Sequence, residues 1–196
     1  GSKPIRIKIT IPEGYEIRNI AEKLESAGIT DFDSFISDTS NVDLYKSQYP
    51  YLNLPEVKSL EGFLFPDTYY ISKEATNEQI IKMFLDRFSE VYEEQQLESK
   101  IQESGLNINE FITLASIVER EAVKKEERPI IAGIFYNRLS IQMPLQSCAT
   151  VQYILKERKP VLSIADTKID SPYNTYLIKG LPPAPIASPG LDAILA

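Results

Sequence analysis

The segment from Leu106 to Ala122 limits what this chain can fold into more than any other. It runs Phe111-Ile112-Thr113-Leu114-Ala115-Ser116-Ile117-Val118-Glu119-Arg120-Glu121-Ala122, preceded by Asn107 as a helix cap and Glu110 to complete a capping box. Leu106 and Phe111 bracket that cap as a hydrophobic staple. The spacing predicts a helix whose apolar centre lies near Phe111, Ala115, Val118 and Ala122. At about 100° per residue, Glu119 and Glu121 fall roughly 80° to either side of that centre, about 200° apart around the axis. They cannot serve one cleft as a pair, and periodicity does not choose between them. The ordinary role for such acids is pairing with Arg120, Lys124 or Lys125 across helix turns.

The elements around this helix are mixed. Ile5, Ile7, Ile9 and Ile11 alternate with Arg6, Lys8 and Thr10, the pattern of a half-buried strand, broken by Pro12-Glu13-Gly14. Ile17, Ile20, Ala21, Leu24 and Ala27 follow helical spacing up to a stop at Gly28, and Thr30 and Asp33 predict a capped second helix through Phe35. From Asp43 to Pro66 the chain reads as loop, with Pro50, Pro55 and Pro66 as breaks. Thr76 and Gln79 box the start of a long helix with a stripe of Ile80, Phe84, Phe88 and Val91, and with Glu93, Glu94 and Glu98 on its solvated face. Pro129 opens a helix to about Leu139, a short helix covers Thr150 to Glu157, Tyr176-Leu177-Ile178 reads as a strand, and Ser188-Pro189 starts a last helix. Helices and strands without βαβ regularity predict an α+β fold.

Composition removes whole classes of chemistry. The chain has no histidine, so neither a Ser-His-Asp nor a Cys-His apparatus can be built. With one cysteine, Cys148, zinc is not expected, and no metal or cofactor is implied elsewhere. A net charge of −7 argues against a nucleic-acid partner, and no P-loop or G-x-G-x-x-G element points to nucleotides. Any acid–base chemistry falls to Glu, Asp, Tyr or Lys.

Five motifs then stand in order along residues 60–191. Leu60-Glu61-Gly62-Phe63-Leu64-Phe65-Pro66-Asp67-Thr68-Tyr69 resembles the "LEGF-PDTY" signature of the MltG/YceG family of endolytic murein transglycosylases. Leu114 to Glu121 resembles that family's "ASIIEKE" catalytic helix. Phe135-Tyr136-Asn137-Arg138-Leu139 with Met143-Pro144-Leu145-Gln146-Ser147 resembles its "F-NRL…MPLQSD" segment. Ser171-Pro172-Tyr173-Asn174-Thr175-Tyr176 with Gly180-Leu181-Pro182-Pro183 resembles "SPYNTY…GLPP", and Ser188-Pro189-Gly190 its last proline-glycine turn. Where many relatives have Asp-Pro after the Gln-Ser pair, this chain has Cys148-Ala149, and Cys148 is expected to be a small buried residue.

The resemblance implies a YceG-like catalytic domain over residues 51–196, with residues 1–50 as a small N-terminal βα lobe, LysM-like and a candidate for substrate binding. It implies a further strand segment beyond Ala196 in relatives, and a single membrane anchor in the full-length protein with this part outside the cytoplasm. It implies peptidoglycan glycan strands as substrate and cell-wall synthases as partners. The catalytic acid it implies is Glu121, with Glu119 as the fallback, and Val118 and Ala122 are expected to give that acid an apolar wall. Polar residues within the motifs become substrate-contact candidates: Glu61, Asp67, Asn137, Gln146, Ser147, Thr150, Tyr173, Asn174 and Tyr176. The rival readings are a two-carboxylate glycan hydrolase, with Glu61 or Asp67 as second acid, and a non-catalytic wall-binding module.

Overall fold

The computed structural model describes residues 4–196. Its sheet is small: β1 (Arg6–Thr10) pairs antiparallel with β2 (Thr68–Ser72), Ile7 opposite Ile71 and Ile9 opposite Tyr69. Between the strands lie α1 (Ile17–Ser26), α2 (Phe32–Thr39), the single-turn α3 (Asp43–Lys46) and a 3₁₀ turn at Pro50–Leu52. Helices α4 (Asn77–Glu94), α5 (Leu97–Ser104), α6 (Ile108–Glu121), α7 (Arg128–Ser140), α8 (Cys148–Leu155) and α9 (Leu191–Leu195) follow. Helices around one antiparallel pair make this an α+β fold.

Helix α6 is apolar almost all round because it serves two cores. Ile108, Ile112 and Ala115 face the first, built with β1, α1, α2, α4 and α5. Leu114, Ile117 and Val118 face the second, built with Ala132 and Phe135 of α7, Leu145, Ala149 of α8, and Ile186 and Ala193 near the C-terminus. A helix buried on opposite faces needs no wide polar stripe. Its buried hydroxyls bond inside the protein: Thr113 donates to the Asn109 carbonyl, Ser116 to that of Thr113, and the Ile186 amide to Ser116 Oγ. The boxes at Asn107–Glu110 and Thr76–Gln79 both form as the sequence predicts.

The C-terminal stretch lies along α6 and reaches back to the turn after β1. Gly14 N donates to the Ser188 carbonyl at 2.9 Å, and Ser188 N donates to that of Tyr15 at 2.8 Å. Gly62, at φ 93°, sits so close to Pro185 and Ile112 that any Cβ there would overlap them.

Several expectations need correction. Tyr176-Leu177-Ile178 is no strand: Asn174 Oδ1 accepts from the Tyr176 amide and the Asn174 carbonyl from Leu177 and Ile178, so a local polar turn overrides β propensity. Glu98 belongs to α5, not to α4, because Gln96 at φ 52° breaks the helix between them. The second helix is capped by Asp31, which accepts from Ser34 N, and α8 begins at Cys148, two residues before Thr150. Within Asp43–Pro66 a short helix interrupts the expected loop. Ile5, expected in the strand's inner row, is exposed just before β1 begins. The last helix starts at Leu191, with Gly190 as its cap.

Candidate active site

Glu121 is the last residue of α6, half-exposed, where the chain turns extended at Ala122. Its side chain meets the start of α8. Ser147 Oγ donates to Glu121 Oε1 at 2.6 Å, and the Ala149 amide donates to the same oxygen at 3.0 Å. Ser147 occupies the N-cap position of α8, yet its hydroxyl does not cap that helix. The Glu121 carboxylate takes that role from outside, accepting a first-turn amide. Oε2 accepts no hydrogen bond among the described residues. Val118 is buried in the second core, and the hydrogen-bond partners of Glu121 are a hydroxyl and an amide.

The loop before α8 is held by a buried hydroxyl web. Ser147 N donates to Thr175 Oγ1 at 2.9 Å, Thr150 Oγ1 donates to the Ser147 carbonyl at 2.9 Å, and the Thr150 and Thr175 hydroxyls lie 2.8 Å apart. Gln146, at φ 54°, donates its amide to the Thr175 carbonyl, and its side chain is exposed. A non-glycine residue in this left-handed region stores on the order of 1 kcal/mol, held by the surrounding bonds. Arg138 braces the same loop by donating to the Leu145 carbonyl at 2.6 Å. Cys148 is exposed rather than buried, because the first turn of α8 points it outward, and its Sγ lies 3.0 Å from the Tyr176 hydroxyl. Burial first, then the bond to Cys148 and the charge of Glu121, push the Tyr176 phenol up to about 12, so it stays neutral. Asn174 is fully buried and ties its own loop, donating to the Thr167 and Ile169 carbonyls.

Glu119 leaves α6 in another direction, as the angular argument requires. It pairs with Arg128 of α7 at 3.1 Å and accepts from the Gly190 amide at 3.0 Å. Arg128 also lies 3.8 Å from Glu13. Burial and the nearby Glu119 raise the Glu13 carboxyl, and Arg128 offsets part of that rise. Glu119 thus joins α7 and the C-terminal turn to α6.

Glu61, Tyr153 and Tyr173 form a separate group. Glu61 is buried and accepts from the Ile17 amide at 3.0 Å, so it caps α1. Its Oε2 lies 3.4 Å from the Tyr153 hydroxyl of α8, and Tyr153 packs on Tyr173 with centroids 5.3 Å apart. Burial, reinforced by the charge of Glu16, raises the Glu61 carboxyl to about 8. A cleft of about 560 Å³ opens beside Glu61 and Tyr153, with Phe32 and Ile36 on its wall. Asp67 is elsewhere: it pairs with Arg87 of α4 at 2.7 Å and holds the Thr68 amide. Asn137 is exposed on α7, its carbonyl accepting from Ser140 Oγ and the Ile141 amide.

Of the sequence candidates, then, Glu121, Ser147, Thr150, Gln146 and Tyr176 share one neighbourhood, Glu61 and Tyr173 a second, and Asp67 and Asn137 neither. Sequence reasoning missed the Ala149 amide, since a backbone donor leaves no mark in a side chain. It also missed Thr175 and the Glu61–Tyr153 link, which the motifs contain without any spacing that joins them.

The YceG-like family model matches residues 1–196, the whole chain. The chain belongs to the YceG-like family. A protein of Streptococcus pneumoniae named endolytic murein transglycosylase is 39% identical over 215 residues, covering 98% of this chain and 38% of that protein. One of Bacillus subtilis with the same name is 33% identical over 208 residues, covering 98% of this chain and 56% of its own length. The chain therefore spans between about two-fifths and three-fifths of these relatives. A crystal structure of a YceG-like protein from Listeria monocytogenes superposes with a TM-score of 0.87 at 31% identity, covering 96% of this chain and 65% of that one.

Proposed function

We propose that this YceG-like chain is the catalytic part of an endolytic lytic transglycosylase that cleaves the β-1,4 bond between N-acetylmuramic acid and N-acetylglucosamine, with Glu121 as acid and then base. The activity named for the relatives supports the reaction class. The observation that carries the residue assignment is the asymmetry of the Glu121 carboxyl: Oε1 is clamped by Ser147 and Ala149, while Oε2 is left without a partner.

In this reading Oε2 carries the proton. It passes to the glycosidic oxygen as the bond to the muramyl C1 breaks and positive charge develops on the ring. The resulting carboxylate is stabilised by the two donors on Oε1. It then takes the proton of the muramyl C6 hydroxyl as that oxygen closes onto C1, giving a 1,6-anhydro end and restoring the acid. Water is not consumed, and the nucleophile belongs to the substrate. One carboxyl group suffices, which fits a helix on which Glu119 is committed to Arg128.

Acting on cell-wall glycan places this domain outside the cytoplasm in the proposed role, with the anchor and any synthase partners belonging to the larger protein. No helix of the described residues is long and apolar enough to cross a membrane.

Glu121→Gln, which keeps an acceptor for Ser147 and Ala149, is expected to leave the fold intact and abolish anhydro-ended products. Mass spectrometry of digested glycan strands checks this, and normal yields of anhydro ends from the variant would refute the assignment. Reducing ends from the wild-type protein would instead mean hydrolysis.

A further inference from the structure

The chain is acidic overall, with a net charge of −7, yet cations gather where α1, the end of α6 and the end of α8 meet. Arg120 and Arg158 converge on Gly14. The Arg120 Cδ lies 3.6 Å from the point where a Gly14 Cβ would stand, and the Arg158 guanidinium donates to the Gly14 carbonyl at 3.3 Å. Arg120 itself donates to Gln152 Oε1 at 3.3 Å. Among the described residues, Arg18, Arg87 and Arg128 pair with carboxylates, whereas Arg120 and Arg158 hold only neutral oxygens. Burial and then the charge of Arg158 lower the Arg120 guanidinium from its ordinary value, against the opposing pull of Glu16 and Glu121.

Beside this pair opens a cleft of about 420 Å³ lined by Arg158, Lys23, Tyr15 and Asn19, with Glu22 also on its wall. The Lys23 ammonium stands 5.9 Å from the centre of the Tyr15 ring. Arg120, the neighbour of Glu121 in sequence, touches Gln152 of α8, the helix whose Ala149 amide holds Glu121.

We infer that this cleft receives the carboxylates of the peptide stems carried by the glycan strand, an inference that rests on the glycan-cleaving reading of Glu121. The Arg158 guanidinium and the Lys23 ammonium on its wall, neither of them in an ion pair among the described residues, suit a carboxylate ligand, which arginine grips through paired N–H donors. The Tyr15 ring gives the aliphatic part of a stem a surface to lie on.

The test uses Glu121→Gln protein, which binds strands without cutting them. It is titrated with short glycan strands bearing peptide stems, the same strands with stem carboxyls amidated, and strands stripped of stems. The dissociation constant for free-carboxylate stems is expected to be about tenfold lower than for the other two, the scale of one charge-assisted contact. Adding Arg158→Gln, at an exposed side chain, or separately Lys23→Gln, at a half-buried one, shrinks that gap toward one. Equal affinity for all three strands, or a gap unchanged in both double variants, overturns the inference. Digestion of stripped strands by the wild-type chain reports separately on cleavage, so a failure to cut leaves the binding comparison readable.

Discussion

At the scale of single residues, the clamp on Glu121 makes a kinetic prediction. Ser147 touches the carboxyl rather than the substrate in the proposed mechanism, so its loss weakens the chemical step more than binding. Ser147→Ala is expected to lower kcat by about 10- to 100-fold with KM within about twofold, and Ser147→Thr to restore most of it. Steady-state kinetics on defined strands reads the split. Glu61 makes a different prediction, about stability. Its carboxyl sits at about 8 in the folded protein against an ordinary value of 4.5. Between those two pH values the folded state binds more protons than the unfolded chain, so stability falls as pH rises through that window. Below about pH 4.5 both states are protonated and the penalty is absent. Glu61→Gln, neutral throughout, is expected to gain stability over wild type as pH climbs from 5 to 9, by an amount on the order of a few kcal/mol at the top. Parallel thermal or urea melts across that range check it. A pH-independent difference would mean that Glu61 is ionised in the folded protein.

At the scale of elements, α6 connects the two cores, and the two acids of its last turn separate cleanly into a brace, Glu119, and a candidate catalyst, Glu121. Glu119 is almost wholly buried against Arg128, so Glu119→Gln leaves a guanidinium short of its charge partner and is expected to cost about 3 kcal/mol of stability while retaining anhydro-product formation. Denaturant melts and product analysis on the same sample distinguish it from Glu121→Gln, which loses product and keeps stability. Gly62→Ala is expected to destabilise by about 2 to 4 kcal/mol, since its backbone is left-handed and its Cβ space is filled by Pro185. The elements that were legible in the sequence were those with local signals: the boxes at Thr76 and Asn107, and the divergence of Glu119 from Glu121. What was not legible depended on contacts from far along the chain. Nothing near Ser147 announces that its hydroxyl turns away from its own helix to a carboxylate 26 residues earlier. Tyr176-Leu177-Ile178 misled because β propensity is visible and the Asn174 turn that defeats it is not.

At the scale of the whole molecule, composition and motifs foretold the α+β class, but not that one helix would be shared between two cores. That sharing requires both halves to be present before α6 has its full environment. The reciprocal amide bonds between Gly14-Tyr15 and Ser188 enforce the same dependence. They fasten the turn after β1 to the stretch before α9, a contact of very high sequence separation whose loop-closure cost is met late in folding. A chain emerging from the ribosome consequently lacks the Gly190 amide that steadies Glu119 until residue 190 has been made. A chain cut ahead of Ser188 would lose both the Gly190 amide on Glu119 and Ala193 from the second core, leaving α6 fully supported on its first face alone.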